Sequence, residues 1–196
     1  QRQGSRGAIG NAVVDTLLAD ESVEAVFKFS RAEITEHDDK VKHIFIDIED
    51  EESIKQATES LPEDTKFDLI FVATGILHDE KNVFPEKSIK DISFDKLIKV
   101  LTINTIGPTL VGKYFIPYLR KDSKSTFAFL SARVGSISDN KLGGWYSYRA
   151  SKTALNQIIR NFSIEVARSN KNAIFIGLQP GTVKSLSLIH ISEPTR

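Results

Sequence analysis

Tyr148 and Lys152 stand four residues apart in a segment whose apolar pattern predicts a helix. Residues at this spacing lie on the same helical face, so the phenol and the ammonium are expected one turn apart. Deprotonating a free phenol at pH 7 costs roughly 4 kcal/mol, and a nearby cation lowers that cost. The pair therefore predicts a proton donor and acceptor tuned toward neutral pH, although solvated helices also carry this spacing by chance.

Ser131 directly follows an apolar, strand-like run over residues 125–130. In open α/β sheets, sites lie in the crevice at the carboxyl edge of the parallel strands. A serine hydroxyl there donates to a carbonyl oxygen as negative charge develops on it, or it simply caps the strand end. A glycine-rich turn over residues 4–10 and a Pro180-Gly181 pair after a later strand are further pieces of a nucleotide-binding fold.

These pieces, in this order, resemble the short-chain dehydrogenase/reductase family. The phrases over residues 130–137 and 143–149 are most similar to its C-factor-like carbonyl reductase branch, and the resemblance runs from Gly4 to about Ser185. It implies a doubly wound, Rossmann-like parallel sheet between two layers of helices. It also implies an NAD(P)-dependent oxidoreductase that interconverts a carbonyl and an alcohol by hydride transfer, with Tyr148 as proton donor and acceptor.

The resemblance assigns four catalytic residues, namely Ser131, Tyr148, Lys152 and Asn104. Lys152 would lower the pKa of the phenol and hold the nicotinamide ribose, and Asn104 would hold a water that links Lys152 to solvent. Many relatives have two serines ahead of the glycine and use the second, whereas this chain has Ala132 at that position. Ser131 is therefore favoured as the acting serine, with Ser136 as the alternative.

The glycine-rich turn resembles the family's Gly-x-x-x-Gly-x-Gly motif, with Ala8 in place of the middle glycine. Bare backbone N–H groups at a helix N-terminus favour a pyrophosphate. The residues of this turn expected to contact the cofactor are Gly4, Ser5, Arg6, Ile9 and Gly10. Arg31 ends the next strand, where an acid would select a ribose 2′-hydroxyl and an arginine a 2′-phosphate. This favours NADP over NAD, the alternative being that Arg6 and Arg31 are merely solvated.

Asp47 follows the third strand of the expected fold. By the resemblance it accepts from the adenine amino group, with Ile48 against the ring, although Asp47 could equally cap a helix over residues 51–61. The expected contacts near the nicotinamide and at the end of the central strand are Ala73, Thr74, Gly75, Pro180, Gly181, Thr182 and Val183. The family usually has Asn-Asn-Ala-Gly where this chain has residues 72–75, and we interpret this difference as variation within the family.

The composition narrows the functional classes. The 26 basic residues balance 26 acidic ones, so the charge does not favour a nucleic-acid or anionic-membrane surface. The lack of cysteine excludes thiolate catalysis and a disulfide framework, and the four histidines are scattered without metal-ligand spacing. No apolar run approaches the roughly 18 residues needed to span a bilayer. We expect a cytoplasmic protein with no metal site and a small-molecule carbonyl or alcohol substrate.

A single domain is expected over residues 1–185. The pattern predicts helices over residues 11–19, 51–61, 94–119 (kinked at Gly107-Pro108) and 148–168, and strands over 23–29, 43–46, 67–75, 125–130 and 173–179. The chain has no methionine and begins within the glycine-rich turn, so we expect a fragment that lacks the first strand and the C-terminal strand. Residues 187–196 look like translated sequencing-adapter read-through, which makes 186–196 a non-native tail.

Two functions from different classes remain at this point. The favoured one is the oxidoreductase, for which the resemblance implies a homodimer through the two long apolar helices, the alternative being that these apolar faces are simply core. The other is a nucleotide-binding signalling or interaction protein on the same fold with little or no catalysis, because a fold does not fix a function. A further alternative concerns this fragment alone, which would be inactive if the missing strand is required. The intact Tyr148 and Lys152 pair favours the enzyme, whereas Ala132 and Thr74 leave room for the alternative.

Overall fold

The computed structural model describes residues 7–32, 39–78 and 83–181. Within these ranges the helices are α1 (Ala8–Leu18), α2 (Glu51–Glu59), α3 (Phe94–Leu101), α4 (Gly107–Phe115) and α5 (Tyr146–Val166). The strands are β1 (Val26–Ser30), β2 (Val41–Phe45), β3 (Leu69–Val72), β4 (Ser125–Leu130) and β5 (Ala173–Leu178). None of the described helices has both the length and the apolar character required to span a bilayer.

All strand pairs in the described residues are parallel. β1 pairs with β2, beginning with Val26 opposite Val41, and a separate three-stranded sheet has the order β3-β4-β5. Helices alternate with these strands, which confirms the predicted α/β class with a doubly wound arrangement. A doubly wound sheet with the order 3-2-1-4-5-6 has a strand between the counterparts of β1 and β3. The described residues contain no strand there, and the rings of Phe27 and Phe67 meet edge to face at 5.4 Å.

β4 forms the centre of the core because it is flanked by strands and covered on both faces. Phe127 and Phe129 are fully buried, and their rings stack at 4.7 Å. Ala128, which faces the other side of the sheet, is 2% exposed. This continuous burial is typical of a central parallel strand. It places the carboxyl end of β4, and therefore Ser131, beside the N-terminal half of α5.

The segment predicted as one kinked helix over residues 94–119 is divided into α3, a π-helical turn (Thr102–Ile106), α4 and a 3₁₀ turn (Ile116–Tyr118). The break precedes Pro108, which lacks an N–H and whose ring crowds the carbonyl of the residue four earlier, Asn104. The backbone accommodates the proline by widening one turn, and π turns of this kind are frequent at functional sites. Where the sequence predicts a kink at Gly107-Pro108, the structure thus has a π-helical turn directly before these residues.

Two glycines of α4 allow close packing of this helix. A Cβ added to Gly107 would lie 2.7 Å from the main-chain oxygen of Ile48, and one added to Gly112 would lie 2.4 Å from the ring of Phe162. α4 therefore packs directly against the segment that follows β2 and against α5. This packing positions α4, and with it the C-terminal end of the π turn, against both neighbours.

The predicted bounds are wrong at α1, β1 and β3, of which β3 spans Leu69–Val72 rather than 67–75. α1 begins at Ala8 rather than at Asn11, directly after Gly7, which adopts a left-handed conformation (φ 99°). β1 begins at Val26 rather than at Val23, whose N–H instead donates to Asp20 O in a turn. These differences are local and leave the order of elements unchanged.

Candidate active site

Tyr148 and Lys152 lie on one face of α5, in its first two turns. The Nζ atom of Lys152 is 5.8 Å from the centroid of the Tyr148 ring. Lys152 is 1% exposed, and Tyr148 is half-buried. The structure therefore brings together the two side chains that the four-residue spacing placed on a common face, and it encloses the amine within the fold.

The amine of Lys152 lies at the carboxyl ends of β3 and β4. It donates to the main-chain oxygen of Leu130 at 2.8 Å. A Cβ added to Gly75 would lie 3.0 Å from the same nitrogen, so a side chain at Gly75 would crowd the amine. Burial disfavours the charged form and lowers the pKa of Lys152 from 10.5 to about 8. This lysine therefore titrates close to neutral pH.

The pKa of Tyr148 moves in the direction opposite to the one predicted from the sequence. Burial raises it from 10.0 to about 12. The expected lowering required a fully charged ammonium directed at the phenol, whereas Lys152 is itself desolvated and hydrogen-bonded to Leu130. Desolvation of the phenolate therefore outweighs the neighbouring cation.

Asn104, in the π turn, joins three parts of the site. It is fully buried, and its Oδ1 accepts from Ile76 N at 2.7 Å while its Nδ2 donates to Ile76 O at 2.9 Å. The same Nδ2 donates to Ser151 Oγ at 3.0 Å, and Ser151 Oγ donates to Tyr148 O at 2.8 Å. The amide thus connects the segment after β3 with the first turns of α5. The water link to Lys152 remains a prediction.

The two candidate serines have different surroundings. Ser131 is 3% exposed, and its hydroxyl donates to Asn156 Oδ1 at 2.6 Å. Asn156 is two helical turns beyond Tyr148, about 12 Å along the axis of α5. Ser136 follows Gly135, whose carbonyl oxygen accepts from Thr153 Oγ1 at 2.9 Å, and it is partly exposed. The hydroxyl of Ser131 is therefore engaged by Asn156, and that of Ser136 lies in the loop beside α5.

The start of α1 meets the end of β3. A Cβ added to Gly10 would lie 3.3 Å from the Cβ of Ala73, so the glycine permits this close approach. Within the described part of the chain, Gly7, the residue before α1, provides no side-chain cap, and the buried Oγ1 of Thr74 has no hydrogen-bond partner. Small residues, uncapped N–H groups and an unsatisfied buried hydroxyl fit the phosphate and ribose groups of a dinucleotide.

Arg31 has two carboxylate partners. Its Nη1 atom is 3.6 Å from Asp47 Oδ2 and 3.7 Å from Glu49 Oε1, and Glu49 also accepts from Lys99 Nζ at 2.6 Å. The two residues predicted to bind opposite sides of the adenosine group are thus paired with each other. Asp47 does not cap α2, since Asp50 does so by accepting from Glu52 N at 3.0 Å.

The remaining predicted residues fall into three groups. Ile9, in α1, and Ile48, after β2, are partly buried. Pro180 and Gly181 are exposed just after β5, and Gly181 has a positive φ of 72°. Five residues predicted to contact the cofactor lie outside the described residues, as do residues 186–196: Gly4, Ser5, Arg6, Thr182 and Val183.

Three residues of the site were not predicted from the sequence. Asn156 accepts a hydrogen bond from the hydroxyl of Ser131, and Ser151 accepts one from the side-chain amide of Asn104. Glu86 accepts one from Ser147 in the first turn of α5. Asn156 shares its helical face with Tyr148 and Lys152, so the four-residue spacing could have indicated it. Glu86 stands in a polar loop segment without a periodic pattern, and nothing in its neighbourhood of the sequence marks it.

The comparison with known proteins identifies the family. The short chain dehydrogenase family matches residues 3–194. This chain therefore belongs to the short-chain dehydrogenase family. The match extends past Ser185, where the resemblance seen in the sequence ended.

Three similar proteins illustrate the relationship. The chain is 29% identical over 139 residues to 1-hydroxy-2-glutathionyl-2-methyl-3-butene dehydrogenase of Rhodococcus sp. (strain AD45), covering 70% of this chain and 57% of that protein. It is 32% identical over 98 residues to C-signal of Myxococcus xanthus, covering 50% of this chain and 58% of that protein. A solved short-chain dehydrogenase/reductase from Burkholderia multivorans with bound NADP is 27% identical with a TM-score of 0.66, covering 76% of this chain and 60% of that one. The chain thus spans less than two thirds of each of these proteins.

Proposed function

We propose that this chain carries the active site of an NADP-dependent oxidoreductase that interconverts a carbonyl and an alcohol. The observation that carries the proposal is the buried amine of Lys152 beside the ring of Tyr148 and against Gly75. Lysine is rarely fully buried, and titratable groups with shifted pKa values concentrate at functional sites. The dehydrogenase and the NADP-bound structure among the similar proteins support the same class.

Tyr148 is the proposed proton donor to the carbonyl oxygen in the reduction, and it accepts the proton in the reverse reaction. Lys152 is the proposed partner of Tyr148: a protonated amine beside the ring favours the phenolate and thereby opposes the desolvation that raises the pKa of Tyr148. Asn104 holds the segment after β3 against α5 and thereby keeps both groups in place. Either Ser131 or Ser136 steadies the carbonyl oxygen. A substrate would have to compete with Asn156 for the hydroxyl of Ser131.

NADP(H), when bound, supplies the hydride, and the protein supplies binding, orientation and charge. The proposed pyrophosphate site is the N-terminus of α1, with residues 4–6, Ile9 and Gly10. Ala73, Thr74 and Gly75 line the proposed path of the cofactor toward Lys152. Residues 180–183 are the proposed contacts of the nicotinamide. Asp47, Ile48 and Arg31 take the adenosine side.

A homo-oligomer of this chain remains a proposal. Phe94 and Ile98 on α3 are 75% and 48% exposed, and Ile106 at the end of the π turn is 50% exposed. These side chains belong to the long helical segment for which the sequence predicted a dimer surface. Large apolar side chains left exposed on one segment support pairing with a second copy.

The direct test uses the purified protein, NADPH and a panel of small aldehydes and ketones. We expect consumption of NADPH that depends on the carbonyl compound and is faster than with NADH. Stabilisation against heat by NADPH alone is measured in parallel, since a ligand at 100 times its dissociation constant adds about 2.7 kcal/mol. A protein that is stabilised by NADPH but reduces no member of the panel would contradict the enzyme and favour the binding protein.

Removal of the charge of Glu49 is expected to increase the affinity for NADPH. In the Glu49→Gln variant, Arg31 and Lys99 lose a competing carboxylate and are freer to contact a 2′-phosphate. Because exposed ion pairs contribute about 1 kcal/mol or less, the dissociation constant should fall by about two- to fivefold. Arg31→Ala should raise it by about tenfold or more, as expected for a lost hydrogen bond to a charged group. Both constants are measured by calorimetric titration.

The matched control is Glu52→Gln, which removes a carboxylate of α2 that lies 3.8 Å from Lys55 instead. This variant should leave the affinity for NADPH unchanged. The affinity for NADH, which has no 2′-phosphate, should be nearly the same in all three variants. If Arg31→Ala weakened the binding of NADH and NADPH equally, the assignment of Arg31 to the 2′-phosphate would be wrong.

A further inference from the structure

The helix that carries Tyr148 has no side-chain cap of its own. The residue before α5 is Trp145, whose side chain makes no capping hydrogen bond, and tryptophan is not among the residues that cap helices well. Its backbone is left-handed (φ 51°), and so are those of Gly143 (68°) and Gly144 (64°). A non-glycine residue persists in this conformation where its surroundings hold it there. The first turn of α5 must therefore be held from elsewhere in the chain.

Glu86 supplies this support from 61 residues away. Its main-chain oxygen accepts from Trp145 N at 2.5 Å. One carboxyl oxygen accepts from Ser147 N at 3.3 Å, and the other accepts from Ser147 Oγ. Glu86 and Ser147 are each 2% exposed, so these bonds are shielded from water. Glu86 thus binds Trp145 and Ser147, the residues before and after Tyr146, at which α5 begins.

The placement of Glu86 is electrostatically favourable in spite of its burial. A buried carboxyl group is tolerated when its oxygens are hydrogen-bonded, and the positive end of a helix dipole favours negative charge. Ser147 N is one of the first N–H groups of α5, which no residue of the same helix satisfies. The carboxyl group therefore satisfies donors of α5 that would otherwise be buried without a partner.

We propose that Glu86 is a positioning residue that sets the direction of the Tyr148 side chain through the first turn of α5. Tyr148 follows Ser147 directly, and its ring meets the ring of Trp145 edge to face at 6.3 Å. Glu86 holds both neighbours, so it determines where the phenol stands relative to Lys152. This inference rests on the proposed function for its effect on catalysis, but not for its effect on the geometry of the turn.

The experiment compares Glu86→Ala and Glu86→Gln with the wild type in two readouts. Trp145 is the only tryptophan of the chain, so tryptophan emission, excited at wavelengths that the four tyrosines do not absorb, reports on this turn alone. We expect Glu86→Ala to shift the emission to longer wavelength and to increase quenching by acrylamide. We expect kcat for carbonyl reduction to fall by about 10²-fold with little change in KM, because misplacement of a reacting group by about 1 Å costs about that much.

Glu86→Gln keeps an acceptor oxygen of the same reach and should recover most of both signals. The control is Glu63→Gln, an exposed glutamate far from α5 in the sequence, which should match the wild type. If Glu86→Ala does not fold, Ser147→Ala takes its place, since it removes only the hydroxyl donor and should change both readouts in the same direction.

Two outcomes would overturn the inference. One is an unchanged emission and kcat in the folded variants. The other is a loss of kcat that is equal in Glu86→Ala and Glu86→Gln, while the tryptophan emission of both variants matches that of the wild type. A wild type without reductase activity would refute the proposed function, and the fluorescence comparison would still decide the role of Glu86 in the turn.

Discussion

Replacement of Tyr148 by phenylalanine is expected to lower kcat for carbonyl reduction by about 10²- to 10⁴-fold, the usual contribution of a positioned proton donor. The substitution removes the phenolic proton but keeps the ring, so the edge-to-face contact with Trp145 remains. Stabilisation against heat by NADPH should therefore persist. The measurement is steady-state reduction of the best carbonyl compound by the wild type and the variant at equal cofactor saturation.

Tyr146→Phe is the matched control for this substitution. Tyr146 lies two residues earlier on α5, is 38% exposed and points away from Lys152, two residues being about half a helical turn. Its variant should retain the wild-type kcat. An unchanged kcat in Tyr148→Phe would refute the assignment of the proton donor. A signalling or interaction protein on this fold would instead show no reduction in the wild type and unchanged nucleotide binding in the variant.

The stability of the protein is expected to rise with pH because of Lys152. Its pKa is about 8 in the folded chain and 10.5 as a free group, so between these values the unfolded chain binds more protons. Stability then increases with pH, by about 2 kcal/mol from about pH 7.5 to about pH 9.5 for this single group. The Lys152→Met variant lacks the titration and should show no such increase. Urea unfolding at the two pH values measures the difference.

The comparison is made below pH 10 because Tyr148 acts in the opposite sense above it. Its pKa of about 12 exceeds the ordinary 10.0, so its contribution to stability decreases as the pH rises through that interval. Lys171→Met, at an exposed position, is the control and should follow the wild-type profile. Parallel profiles for the wild type and Lys152→Met would mean that the amine does not titrate near neutral pH.

The parts of the structure that follow from local pattern could be predicted from the sequence. The sequence predicts β4 with its observed bounds and α5 over 148–168 against the observed Tyr146–Val166, since their apolar residues repeat with the period of a strand and a helix. The four-residue spacing also placed Tyr148 and Lys152 on one face. The α/β class followed from the alternation of these elements.

The parts that depend on contacts between distant segments could not be predicted. The spacing of Tyr148 and Lys152 gave no information on burial, and burial decides the direction of both pKa shifts. Arg31 was assigned to a phosphate without knowledge that Asp47 and Glu49 lie beside it. Glu86 meets α5 only through the tertiary fold. In each case the property depends on residues that are brought close only by the tertiary fold, or on burial, and neither can be derived from local sequence spacing.

The close packing at Gly107 has a consequence for engineering of this enzyme class. Gly107 touches the backbone of Ile48, which adjoins the proposed adenosine contacts, and it stands three residues after Asn104. The proposed adenosine contacts around Ile48 and the proposed active-site residue Asn104 are therefore connected through Gly107, where no side chain separates the two backbones. A loop exchange around Ile48 intended to switch cofactor preference would displace α4 and with it Asn104, which we propose as part of the active site. The two properties have to be redesigned together.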